Sequence, residues 1–104
     1  MDINIKQTGL FSLYVKAAGR LDLDSAVEYG TKIKDAIYDA DENITEITLD
    51  FSDITFISSF GLKVILELYK EMQTNKGSLK LKGVSEQIRN SFNMVGFDRF
   101  LVFE

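Results

Sequence analysis

The stretch "TFISSFGLKVILELYK", Thr55 to Lys70, decides how this chain folds. An apolar run, Ile54 to Ile57, meets two serines and then a glycine followed by an apolar series. Gly61, Val64, Ile65, Leu68 and Met72 recur at helical spacing, and Leu62, Leu66 and Tyr69 widen the arc. Lys63, Glu67, Lys70 and Glu71 mark the wet side. The reading is a strand that turns through Ser58-Ser59 into a helix, with one serine placed to cap it. That helix ends near Asn75-Lys76-Gly77, where Gly77 is the expected left-handed terminator.

Working outward, the same grammar repeats. Upstream, Ile44 to Phe51 alternates as a strand with Ile47, Leu49 and Phe51 in register. Before it, Ser25-x-x-Glu28 reads as a capping box, and Ala26, Gly30, Ile33, Ile37 and Ala40 form one helical stripe. Gly30 in that stripe costs about 1 kcal/mol relative to alanine, which a close approach of helix to sheet would justify. "GRLDL", Gly19 to Leu23, reads as the loop before this helix. Met1 to Gln7 alternates with Ile3 and Ile5 on one face. Thr8-Gly9 reads as a turn, and Leu10 to Ala18 as a second strand with Phe11, Leu13, Val15 and Ala17 together. These two strands are expected to form an antiparallel hairpin. Downstream, Leu79 and Leu81 alternate in a short strand. Ser85 opens a helix carrying Ile88, Phe92 and Val95, Gly96 ends it, and Phe100 to Phe103 forms a last strand.

The predicted order is β-β-α-β-α-β-α-β in one domain, residues 1–104. Strands separated by helices run parallel, so the fold class is α/β with a mixed, mostly parallel sheet. Functional loops in such sheets lie beyond the carboxyl ends of parallel strands, where Ser58 and Ser59 fall.

Composition removes several function classes. The chain has 104 residues and is 45% hydrophobic, enough for a core. It has no cysteine and no histidine. Disulfides, thiolate chemistry, histidine zinc sites and a Ser-His-Asp triad are therefore out of reach. No cofactor is expected, and no enzyme. The net charge is −4, and no basic cluster points to nucleic acid. No apolar run is long enough to span a membrane, and "MDINIKQTG" is no signal peptide, so the expected location is cytoplasmic. No glycine-rich phosphate loop occurs. Asp22, Asp24, Asp50 and Asp53 invite comparison with a cation or phosphoryl-acceptor site, but the early acids follow a hairpin, and solvated loops explain them better. The serines remain. A helix N-terminus stabilises a phosphate as readily as it uses a hydroxyl cap.

Three segments together resemble one family. "AGRLDLDSA" is similar to a G-x-L-D-x-x-x-A segment before the first helix. "ITLDFSDITFISSFGLKVILELYKEM" resembles a strand ending in a D-[FL]-S-like stretch, then F-[IM]-D-S-[ST]-G-L and an apolar helix. "GSLKLKGVSEQIRNSFNMVGFDRFLVFE" resembles the ending, a strand and a helix before a G-[FL] turn. On these the chain resembles a STAS domain of the bacterial anti-sigma-factor antagonist type, over nearly its whole length. The resemblance implies a regulatory binding protein. Its partners would be an anti-sigma factor that is also a serine kinase, and a PP2C-type phosphatase that reverses the modification. The phosphorylated position lies two before the glycine, so Ser59 matches it, with Ser58 the lesser candidate. Asp22 matches an acid placed near that serine. The implied partner-binding set is Asp22, Ser58, Ser59, Phe60, Gly61 and Lys63. Two positions depart from the pattern: Ser58 stands where the family has aspartate, and Phe60 where it has serine or threonine. Phe60 reads equally as an exposed anchor for a partner or as packing against the sheet edge. The alternative function is a STAS module that is never phosphorylated and acts with a sensor, transporter or other regulator.

Overall fold

A computed structural model describes residues 1–104. Five strands and three helices follow one another as β1 (Asp2–Gly9), β2 (Ser12–Leu21), α1 (Leu23–Asp39), β3 (Glu46–Ile57), α2 (Ser59–Thr74), β4 (Ser78–Lys82), α3 (Glu86–Met94) and β5 (Val102–Phe103), with a 3-10 turn at Phe97–Arg99 before β5. The sheet order is β1-β2-β3-β4-β5. β1 pairs antiparallel with β2, and every later pair is parallel. The predicted order and the mixed α/β class hold.

Each strand lies beside the next one in the chain. Right-handed crossovers between neighbours that step the same way must put all the helices on one face. The packing agrees. Tyr29 of α1 meets Phe51 of β3 edge to face, and Phe51 meets Phe92 of α3. Leu13, Val15, Ala17, Ile47, Leu49, Phe51, Leu79 and Leu81 point into this core, with Ile33, Ile65 and Leu68 above them. The other face of the sheet carries no helix and shows polar residues, among them Asn4, Lys6, Lys16 and Lys82.

Several local expectations change. The hairpin turn is Leu10-Phe11, with Gly9 opposite Ser12, not Thr8-Gly9. Phe11 is consequently half exposed in the turn. Gly19, Arg20 and Leu21 belong to β2 rather than to a loop. Gly19, at φ 117°, lets the chain pass a register shift and keep pairing up to Leu21 with Ile57. The first helix is capped by Asp22, and Ser25 is its N3 partner rather than the cap. Gly77 is not the left-handed terminator: Lys76 takes that conformation at φ 58°. Glycine is needed at 77 because a Cβ there would sit 2.4 Å from the Thr45 carbonyl oxygen. The last strand is only Val102–Phe103, and Val95 is a half-exposed helix end.

Candidate functional site at the paired helix starts

β2 and β3 end as neighbours, Leu21 beside Ile57, and each runs directly into a helix. The starts of α1 and α2 therefore emerge side by side at the carboxyl edge of the sheet. Ser58 is the N-cap of α2, with extended backbone angles. Its Oγ accepts from the Gly61 N–H at 3.3 Å and donates to the Leu21 carbonyl at 2.9 Å. Its own N–H donates to the same carbonyl at 2.9 Å. Both hydrogen-bonding functions of this hydroxyl are thus spent inside the fold. Ser59, one residue on, is the first residue of the helix and is exposed.

Gly61 makes the geometry possible. A Cβ there would lie 2.6 Å from Ile57 Cγ1 and 3.0 Å from the Leu21 carbonyl oxygen. The first turn of α2 packs this close to both strand ends, which brings the Ser58 hydroxyl within reach of β2.

The start of α1 is built differently. The Asp22 carboxylate accepts from the Ser25 N–H at 3.4 Å, and the Asp22 N–H donates to Ser25 Oγ at 2.9 Å. The single Ser25 hydroxyl proton has both the Arg20 carbonyl and the Asp22 carboxylate in reach. Hydrogen bonds from Ser25, side chain first and backbone second, hold the Asp22 carboxyl below its ordinary pKa. Asp22 follows the residue whose carbonyl Ser58 grips, so the structure brings the predicted acid and serines to one rim.

Beside this rim runs a groove between α1 and α2, a cavity of about 310 Å³. Phe60 and Lys63 line it from α2, and Leu23, Val27 and Lys34 from α1. Phe60 is 49% exposed and faces this groove rather than the sheet edge. Gly30 forms the groove floor: a Cβ there would stand 2.8 Å from Val64 Cγ1. The close approach that justifies Gly30 is helix to helix, not helix to sheet. Lys34 and Glu67 bridge the groove at 3.2 Å.

The acids considered as a cation site do not gather; no three His, Cys, Asp or Glu groups lie close enough to hold a metal ion. Asp50 is buried on the polar face of the sheet. It accepts from Tyr14 Oη at 2.6 Å, Ser52 Oγ at 2.6 Å and the Ser52 N–H at 2.9 Å. Burial pushes its carboxyl up, but the hydrogen bonds from Ser52 and Tyr14 outweigh burial and bring it down to about 2. Sequence reasoning missed this cluster. Its only signal was an Asp flanked by apolar neighbours in β3. Tyr29, absent from the predicted stripe, is fully buried with its hydroxyl unpartnered. No helix is long and apolar enough to cross a membrane.

Known proteins resemble this chain in sequence and in fold. The chain is 25% identical over 96 residues to the anti-sigma-B factor antagonist of Bacillus subtilis, covering 92% of this chain and 84% of that protein. In fold it is similar to the anti-sigma factor antagonist SpoIIAA in its unphosphorylated form, with TM-score 0.78 and 19% identity over 99% of this chain and 87% of that one. SpoIIAA, a Bacillus cell fate determinant, has also been solved in its phosphorylated form, with TM-score 0.76, 20% identity and 99% and 91% coverage. A sulfate transporter family protein of Wolinella succinogenes has the same fold, with TM-score 0.76 and 20% identity over 94% of this chain and 80% of that one. The STAS domain model matches residues 2–104. With the five-stranded sheet and its three helices, that match establishes that the chain belongs to the STAS domain family.

Proposed function

We propose that this protein is an anti-sigma-factor antagonist: a cytoplasmic regulatory binding module, not an enzyme, switched off by phosphorylation of Ser59. The partner is an anti-sigma factor that is also a serine kinase, and a PP2C-type phosphatase resets the switch. One observation carries the choice of serine. Ser58 spends its hydroxyl on Leu21 and Gly61, whereas Ser59 is exposed at the helix start. A phosphate on Ser59 sits where free N–H groups and the helix dipole favour it, so the fold tolerates the added charge. The same charge stands on the rim beside Phe60 and Lys63, where it repels an acidic surface and wets an apolar one. The antagonist names of the sequence relatives support this reading. The binding face comprises Asp22, Ser59, Phe60 and Lys63, with Ser58 and Gly61 shaping it from beneath. Neither histidine nor cysteine is present to build the commoner nucleophile and base pairs.

A second reading rests on the motif itself. Ser58 replaces the family's aspartate and Phe60 its serine or threonine, and a transporter-family protein shares the fold. On that reading the rim binds a regulator without modification. Affinity for the anti-sigma factor separates the two. Under the switch, Ser59→Ala binds like the unmodified chain and Ser59→Asp at least tenfold more weakly, about 1.4 kcal/mol. Equal affinity of the two variants for that partner removes the switch.

A further inference from the structure

The two edges of the sheet are protected unequally. At one edge β5 has two residues. At the other, β1 runs for eight residues, Asp2–Gly9, and pairs only with β2. A long edge strand is a template for further pairing unless proline, bulges, charge or a covering segment blunts it. β1 has no proline, its one irregularity lies at its end between Gln7 and Gly9, and its residues beyond Ile5 are exposed.

The sequence of this edge is complementary to itself in one register. A two-fold axis normal to the sheet keeps each face on its own side, so only positions of the same parity oppose one another. Through Asp2 or Lys6, such an axis sets like charges together. Through Ile3 or Ile5, it pairs a charge with Asn4. Through Asn4, it sets Asp2 of each copy opposite Lys6 of the other, on the polar face. It also sets Ile3 opposite Ile5 twice, on the helix face, where both already pack against the core. Opposite charges and paired β-branched residues directly across an antiparallel ladder are both favourable.

We propose that β1 pairs with β1 of a second copy of this chain, antiparallel about an axis through Asn4, so that two five-stranded sheets become one. All the helices stay on one face. The α2 rims fall at opposite ends of the joined sheet, and both remain free. The pairing is therefore independent of what the rim binds.

The absence of cysteine allows a direct test on the full chain. Across the axis the two Asn4 Cα atoms lie about 4.5–5.5 Å apart, within disulfide range. Position 7 of one copy lies six residues along from position 7 of the other, about 20 Å. Under mild oxidation Asn4→Cys is expected to form a covalent dimer at least tenfold faster than Gln7→Cys. In sedimentation of the cysteine-free chain, a concentration-dependent dimer is expected. Lys6→Asp weakens it at least tenfold by setting acids opposite one another, and the charge swap Asp2→Lys with Lys6→Asp restores it. Both side chains are exposed, so neither change threatens the fold. A chain that stays monomeric throughout, equal cross-linking at positions 4 and 7, or a swap that fails to restore the dimer overturns the proposal.

Discussion

The starts of α1 and α2 lie side by side, and each is capped by a side chain, yet they are closed by different chemistry. Asp22 caps α1 with a charge, held within a local reciprocal pair with Ser25. Ser58 caps α2 with a neutral hydroxyl that also reaches across to β2, 37 residues away in sequence. The first is a local device that titrates. The second is a tertiary clamp that does not. Between them they leave Ser59 as the hydroxyl on the rim with no structural duty. The difference teaches why a Ser-Ser pair is useful here: one serine anchors the helix, and the next presents a free hydroxyl in a fixed place.

The largest way to break this arrangement is Gly61→Ala. The added methyl meets Ile57 and the Leu21 carbonyl, so α2 must lift from the strand ends, at a cost of about 1–3 kcal/mol. Denaturant unfolding reads this directly, and an unchanged midpoint breaks the clamp account. Ser58→Ala is next. It removes the cap and the bond to Leu21, at about 1 kcal/mol, with no effect on the pH dependence of stability. The smallest effect sharpens the contrast. Asp22 has its pKa lowered in the folded state, so its stabilising contribution is present above the unfolded carboxylate value and is lost as pH falls through the folded one. Asp22→Asn keeps an N-cap acceptor but removes that titration. Melting temperature should then fall less steeply with acidification than in the unmodified chain, while Ser58→Ala keeps the full slope. Asp50, brought down to about 2 by its hydrogen bonds, keeps its own acid sensitivity in both. Parallel slopes for all three proteins contradict the division into charged and neutral caps.

Much of this was legible in the sequence, because periodicity reports what each element buries. Ile65, Leu68 and Met72 named the buried face of α2, and the alternation of β3 named Ile47, Leu49 and Phe51. Boundaries were less legible where two local solutions share one spelling. "LDLDSAVE" offers both Asp22-x-x-Ser25 and Ser25-x-x-Glu28 as capping pairs. Pairing of Leu21 with Ile57 selects the first, and that pairing is long-range. The same pairing turns Gly19 to Leu21 from loop into strand. Lys76 rather than Gly77 turns left-handed, and glycine stands at 77 because the Thr45 carbonyl, distant in sequence, leaves no room for a side chain there. In the candidate site, the motif alone favoured Ser59. What it lacked was the reason Ser58 is occupied, which needs the carbonyl of Leu21. The Tyr14–Asp50–Ser52 cluster was invisible for a similar reason, since it depends on the register of β2 against β3.

The most direct test of the central claim is phosphosite mapping. The unmodified chain is incubated with the proposed partner, an anti-sigma-factor kinase, and ATP, and the peptide spanning Thr55 to Lys70 is fragmented by tandem mass spectrometry. The account predicts one phosphate, on Ser59, and none on Ser58, whose hydroxyl is held by Leu21 and Gly61. A phosphate on Ser58, or a peptide that stays unmodified while the kinase binds the chain, contradicts it.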